Sequence, residues 1–233
     1  MGEHRTIADS KRAFHSAFPH VIPSLYRRTA DELLVELHLL SHQKQFKVDA
    51  LFAVGLRQVF EAFTRGYRPE SHLDPLFSAL CSCNGFDAGA LMQLAQDSEA
   101  AVQGHSFEDV QQWLRSKGEG APEAITKVLE RADHANFHYS RLMAVGLLTL
   151  LAKAQGEGSD PSELAKLAHE LSEPLGLTKE RVEKDLGLYT GNLERMAQAV
   201  ELMEETLAAE RRKRERQNET ANPQDAAAGA SAS

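Results

Sequence analysis

The chain has 233 residues, 42% of them hydrophobic, and a formal net charge of −8. A chain of that length can bury a sizeable core without metals or disulfides, and its acidic balance excludes general nucleic-acid binding by the whole molecule. Its two cysteines, Cys81 and Cys83, stand one residue apart, so no disulfide framework is expected and a reducing compartment is the default.

In chain order, Thr6-Ile7-Ala8-Asp9 has the form of a capping box with Asp in place of Glu, and predicts a short helix ending near Phe18. A loop over residues 19–23 leads to the stretch on which the chain is organised, a helix over residues 23–41. Tyr26, Ala30, Leu33, Leu37 and Leu40 recur at spacings of four and three, which places them on one stripe. Leu34 and Leu39 are expected to widen that stripe, and the other helices to pack on it. Asp49 then caps a helix with Phe52, Leu56, Val59 and Phe63 on its face and Gly66 as its C-cap. A turn at Arg68-Pro69-Glu70 precedes a short helix carrying Leu76, Phe77, Leu80 and Cys81, closed by Asn84-Gly85.

Asp87 caps the next helix, with Leu91, Leu94 and Ala95 on one face and an end by Gly104. Ser106 with Asp109 opens another, carrying Val110, Trp113 and Leu114 and closed by Gly118. Pro122 suits a first helical position, followed by Ile125, Val128, Leu129 and Ala132. A strongly apolar helix over residues 139–155 is expected to lie centrally in the core. Gly156-Glu157-Gly158-Ser159-Asp160-Pro161 is the clearest linker, before a helix with Leu164, Leu167, Ala168 and Leu171 that Pro174 ends.

The last helix differs. Thr178 caps it, and Leu186, Tyr189, Leu193, Met196, Val200, Met203 and Leu207 form an apolar seam of coiled-coil spacing. Helical over residues 178–216, it would be roughly 58 Å long. Glu201, Glu204 and Glu205 give way to Arg211, Arg212, Lys213, Arg214 and Arg216, and residues 217–233 turn to Asn, Ala, Gly and Ser, a composition that cannot form a core.

The sequence therefore predicts an all-α protein: a helical bundle core over residues 5–155, a linker and short helix over 156–177, a long C-terminal coiled-coil-like helix over 178–216 and a disordered tail over 217–233. The longest apolar run, residues 142–152, is about half the ~20 residues that span a bilayer, so the chain is expected to be soluble or attached to a membrane surface. No secretory signal is expected from its first thirty residues.

Candidate chemistry is sparse. Glu32 and Glu36 lie at i and i+4, but His38 follows Glu36 by two residues and points to another face, unlike the Glu-x-x-His of di-iron bundles. His134 and His138, with Asp133 adjacent, lack the Glu of the metalloprotease pattern. Cys81-Ser82-Cys83 is not the redox spacing, and Cys81 fits a buried apolar position. No metal, cofactor or catalytic residue is assigned. The partner-binding candidates are Leu193, Met196, Val200 and Met203 in the seam, with Arg211, Arg212, Lys213 and Arg214 at its end. Should the seam prove not to be the functional surface, the next face to test is the exposed one over residues 26–41, beginning with Arg27, Arg28 and Glu36. The seam fits an internal hairpin, a homodimer or a partner helix. A metal- or small-molecule-binding helical enzyme and a self-dimerising scaffold remain the alternatives from the residues alone.

Several segments, in order, carry a resemblance: Thr6-Ile7-Ala8-Asp9-Ser10-Lys11-Arg12-Ala13-Phe14; Tyr26-Arg27-Arg28 with Glu32-Leu33-Leu34-Val35-Glu36-Leu37-His38-Leu39-Leu40; Phe52-Ala53-Val54-Gly55; Gly66-Tyr67-Arg68-Pro69-Glu70; Tyr139-Ser140-Arg141-Leu142-Met143-Ala144-Val145-Gly146-Leu147; and Lys184-Asp185-Leu186-Gly187-Leu188-Tyr189 with Asn192-Leu193-Glu194-Arg195-Met196-Ala197-Gln198-Ala199. Over residues 5–216 the chain resembles the thylakoid formation protein family of photosystem II biogenesis factors. The resemblance implies an all-helical, non-enzymatic accessory protein of oxygenic phototrophs. It implies support of FtsH-type AAA proteases during photosystem II repair, with photosystem II components as further partners and no nucleic acid. It also implies peripheral attachment on the cytoplasmic side of the thylakoid membrane, with a soluble pool. Chloroplast members carry a transit peptide and none is visible, which favours a cyanobacterial protein.

Overall fold

The computed structural model describes residues 5–132, 137–156, 161–172 and 177–221. Among them every regular element is helical: α1 (Ile7–Ala17), α2 (Ser24–Ser41), α3 (Ala50–Phe63), α4 (Leu73–Ser82), α5 (Ala88–Gln103), α6 (Phe107–Arg115), α7 (Glu123–Ala132), α8 (Arg141–Gln155), α9 (Pro161–Ser172) and α10 (Lys179–Ala221), with a 3₁₀ turn at Glu70–His72. The all-α architecture and the long C-terminal helix are as the periodicity predicts. The chain divides into two compact units, one up to Leu193 and one from Glu194.

Helix starts follow the local chemistry. Thr6 and Asp9 form the predicted capping box, as do Ser106 and Asp109, and the carboxylates of Asp49 and Asp87 accept the Phe52 and Ala90 backbone N–H groups. Three boundaries differ. α3 ends at Phe63 with Thr64 as its C-cap, because the Thr64 hydroxyl donates to the Phe60 carbonyl at 2.6 Å; Gly66, at φ 78°, lies in the following turn. α8 begins at Arg141, since the Ser140 hydroxyl accepts from the Leu142 N–H and makes Ser140 the N-cap. α10 continues past Arg216 to Ala221. The proposed ligands Asp133 and His134, most of the 156–161 linker, and the tail beyond Ala221 lie outside the described residues.

α3 and α8 form the innermost pair of the first unit, rather than α2. Gly55 on α3 and Gly146 on α8 bring the two backbones into contact. A Cβ at Gly55 would sit 1.7 Å from the Leu142 carbonyl oxygen, and one at Gly146 would sit 1.9 Å from that of Leu51. Phe52, Val54, Leu56, Ala144, Leu147 and Leu151 fill the space around this crossing and are buried. α2 packs outside it through Tyr26, Ala30, Leu33, Leu34, Leu37 and Leu40. Leu39, expected to widen that face, is instead 58% exposed, because its position turns it away from the core stripe. At the edge of the core, nearly buried Glu99 on α5 meets Arg57 of α3 at 3.4 Å and Lys153 of α8 at 3.7 Å.

Candidate functional site

The outer face of α2 is left open by the packing of its inner stripe. Arg27, Arg28, Asp31, Glu32 and Leu39 are exposed, and Val35 and Glu36 half-buried. This face is one wall of a groove of about 930 Å³ in the first unit. Residues 138–141 and the first turns of α10, with Arg181 and Asp185, form the other wall. Because α2 and the residue after its cap line it from Ser24 to Gln43, the groove runs ~28 Å along the helix at 1.5 Å per residue.

Its walls are held by specific polar contacts. Arg141 Nε donates to Glu36 Oε2 at 2.6 Å, and the Ser140 hydroxyl reaches Glu36 Oε1 at 3.4 Å. The Tyr139 hydroxyl donates to Asp185 Oδ2 at 3.0 Å, and the Arg181 guanidinium lies 4.8 Å above the Tyr139 ring, a cation–π contact. Further along α2, Arg28 Nε donates to Glu32 Oε1 at 2.9 Å. Burial raises the Glu36 carboxyl above its ordinary value, against the opposing pull of Arg141. Burial, with Asp185 beside it, pushes the Tyr139 phenol well above its ordinary range, so the hydroxyl stays a donor at neutral pH. The groove thus carries ion pairs and the apolar side chains of Val35 and Leu39 next to one another along α2.

The remaining candidates fall elsewhere. His38 is buried on the opposite face of α2 from Glu32 and Glu36, with Nδ1 2.9 Å from the Ser10 hydroxyl, as the spacing predicts. Cys81 and Cys83 are buried free thiols, and burial pushes them up to about 12 and about 11, so both are inert as thiolates. His138 is half-buried at the end of the groove. Among the described residues no three His, Cys, Asp or Glu side chains gather as a metal site.

In the seam, Leu186 and Tyr189 are buried in the first unit, where Tyr189 meets Phe63 edge to face. Leu193 is half-buried, and Met196 and Val200 are 7% and 8% exposed. Met203 is half-buried, while Leu202 and Leu207 are 65% and 46% exposed. Arg211, Arg212, Lys213 and Arg214 are exposed. The long-range pairs Arg141–Glu36 and Tyr139–Asp185, which assemble the groove, have no sequence signature; the nearest signal was the Arg28–Glu32 spacing on the same face.

A family model described as thylakoid formation protein matches residues 6–218. Protein Thf1 of Prochlorococcus marinus (strain MIT 9313) is 65% identical over 95% of this chain and 91% of its own length. Protein Thf1 of Parasynechococcus marenigrum (strain WH8102) is 57% identical, over 93% of this chain and 95% of its own. The solved structure of Psb29 superposes with a TM-score of 0.78 at 36% identity, covering 90% of this chain and 98% of that one. The chain therefore belongs to the thylakoid formation protein family.

Proposed function

We propose that this protein is a non-enzymatic accessory factor for photosystem II assembly and repair, which acts by associating with and supporting an FtsH-type AAA protease at the thylakoid membrane. Membership of a thylakoid formation and photosystem II biogenesis family over almost the whole chain, to residue 218, carries the reading. The match extends through the exposed end of α10, a segment whose side chains add little to a core. In this reading the end of α10 is the docking element: Met203 with Arg211, Arg212, Lys213 and Arg214, continuing the seam from Leu193, Met196 and Val200. Attachment is peripheral, on the cytoplasmic face, with a soluble pool; among the described residues no helix is long and apolar enough to cross a membrane. Photosystem II components are further contacts of the same complex.

The test is affinity capture of tagged protein from solubilised thylakoids, with the protease detected by antibody. Reversing the exposed cluster, Arg211→Glu with Arg212→Glu, Lys213→Glu and Arg214→Glu, should lower captured protease and slow recovery of photosystem II after strong light. Gln198→Asp, at another exposed position of α10, should change neither. Undiminished capture with the reversed cluster at equal abundance would remove the end of α10 from the reading.

A further inference from the structure

The exposed apolar residues of the chain fall partly into two sets with matching patterns. One is on the outer face of α2, where Leu39 is 58% exposed and lies one turn from half-buried Val35 in the groove. The other is near the end of α10, where Leu202 and Leu207 are 65% and 46% exposed with half-buried Met203 between them. An exposed apolar row on a helix normally finds a partner surface.

The two rows match in charge as well as in polarity when the helices run antiparallel. With Leu39 set opposite Met203, Val35 falls opposite Leu207. One turn further, Asp31 falls opposite Arg211, and a turn beyond that Arg27 falls opposite Glu215. Each row advances by four residues, the spacing that interdigitates most often when helices pack. Apolar residues meet apolar ones at one end, and two pairs of opposite charge follow at the other. The groove is ~28 Å long at 1.5 Å per residue, enough for four turns of a docked helix. Its open, elongated form suits a helical row better than a compact ligand.

We propose that the groove on α2 receives the end of α10 from a second copy of this chain. Two copies related by a two-fold axis make the contact twice, each giving its α10 end to the other. A single row of side chains is small beside the ~1,600 Å² of a standard interface, so the doubled contact is what makes the pair stable. This goes beyond the protease reading. Both use the end of α10, but self-association is read from mass in the absence of any protease, so either can fail alone.

The experiment is the mass of the purified full chain in solution by sedimentation and light scattering over a concentration series. Wild type should form a dimer. Leu39→Asp and Leu207→Asp, both at exposed positions that leave the core intact, should each shift the chain to monomer. Mixing the two variants should give a heterodimer weaker than the wild-type dimer but stronger than either variant with itself, because the intact α10 end of one meets the intact groove of the other while the second contact stays broken. Asp31→Arg alone and Arg211→Asp alone should weaken association several-fold, and the double variant should recover it. A wild-type chain that stays monomeric at its highest soluble concentration overturns the proposal. So does a dimer that survives Leu39→Asp, which would place the contact away from the groove, or a charge swap that fails to recover association.

Discussion

Asp49 holds two roles that compete. Its Oδ1 accepts the Phe52 N–H at 2.9 Å and starts α3, while the residue is 5% exposed and Oδ2 has no hydrogen-bond partner. Arg131 lies 3.6 Å away, too far for a close pair. Burial therefore dominates and raises the carboxyl to about 6. The folded state holds this proton more tightly than the unfolded chain does. Its ionisation costs stability in full above pH 6, and that cost disappears as the pH falls toward the ordinary carboxylate value. Asp49→Asn keeps the capping oxygen and removes the titration. The stability difference between pH 8 and pH 5 should then change by about 1–3 kcal/mol relative to wild type, in the direction that favours Asn at pH 8. Identical pH profiles in urea unfolding would show that Asp49 ionises at no cost. Met196 gives a second test at this scale. At 7% exposure, an Asp there is desolvated without a counter-charge, so Met196→Asp should lower the melting temperature by several degrees where Gln198→Asp does not. Loss of function in Met196→Asp would thus report folding, which is why exposed positions are the ones to use for docking.

At the scale of elements, the pair α3 and α8 depends on two residues with no side chain. A methyl at Gly146 would lie 1.9 Å from the Leu51 carbonyl oxygen, and backbone cannot yield as a side-chain tip can. Gly146→Ala must push the helices apart and should cost about 3 kcal/mol or more. Gly187 and Gly191 on α10 are the opposite case, with nothing within 4 Å of an added Cβ. Gly187→Ala should raise stability by about 0.5–1 kcal/mol, the usual helix-interior gain. Equal melting temperatures for the two variants would contradict the backbone contact. Much of this level was legible in the sequence. Capping boxes at Thr6 and Ser106 and the 3.6-residue stripes of α2 and α3 are local, so short windows reveal them. The close crossing was not, because a helical glycine reads as a weak position until its neighbour is known. Leu39 was misplaced for a related reason: spacing defines a stripe but not its width.

At the scale of the whole molecule, the groove was only partly legible. Arg27, Arg28 and Glu36 were recognisable as an outer face, but the residues that close the groove over it, Tyr139, Arg141 and Asp185, come from over 100 positions later in the chain. A non-local ion pair leaves no periodic trace. The charge distribution has a clearer consequence. The chain carries −8 overall, so an anionic membrane repels it except where cations cluster. Arg211, Arg212, Lys213, Arg214 and Arg216 form such a cluster on the exposed end of α10, beside Glu210 and Glu215. Each cation near an anionic surface is worth about 1 kcal/mol, and the neighbouring carboxylates offset part of that. The net attraction of a few kcal/mol is a transient hold rather than an anchor, and it falls as the screening length drops from ~8 Å at physiological salt to ~3 Å at 1 M. A 1 M salt wash should therefore release most of the protein from isolated thylakoids, and an alkaline wash the remainder held through other proteins. Replacing Arg211, Arg212, Lys213 and Arg214 with Gln should shift the protein toward the soluble fraction before any wash. Retention of the wild-type chain through both washes would point to a hydrophobic attachment, and an unchanged distribution of the Gln variant would place the hold on protein contacts alone.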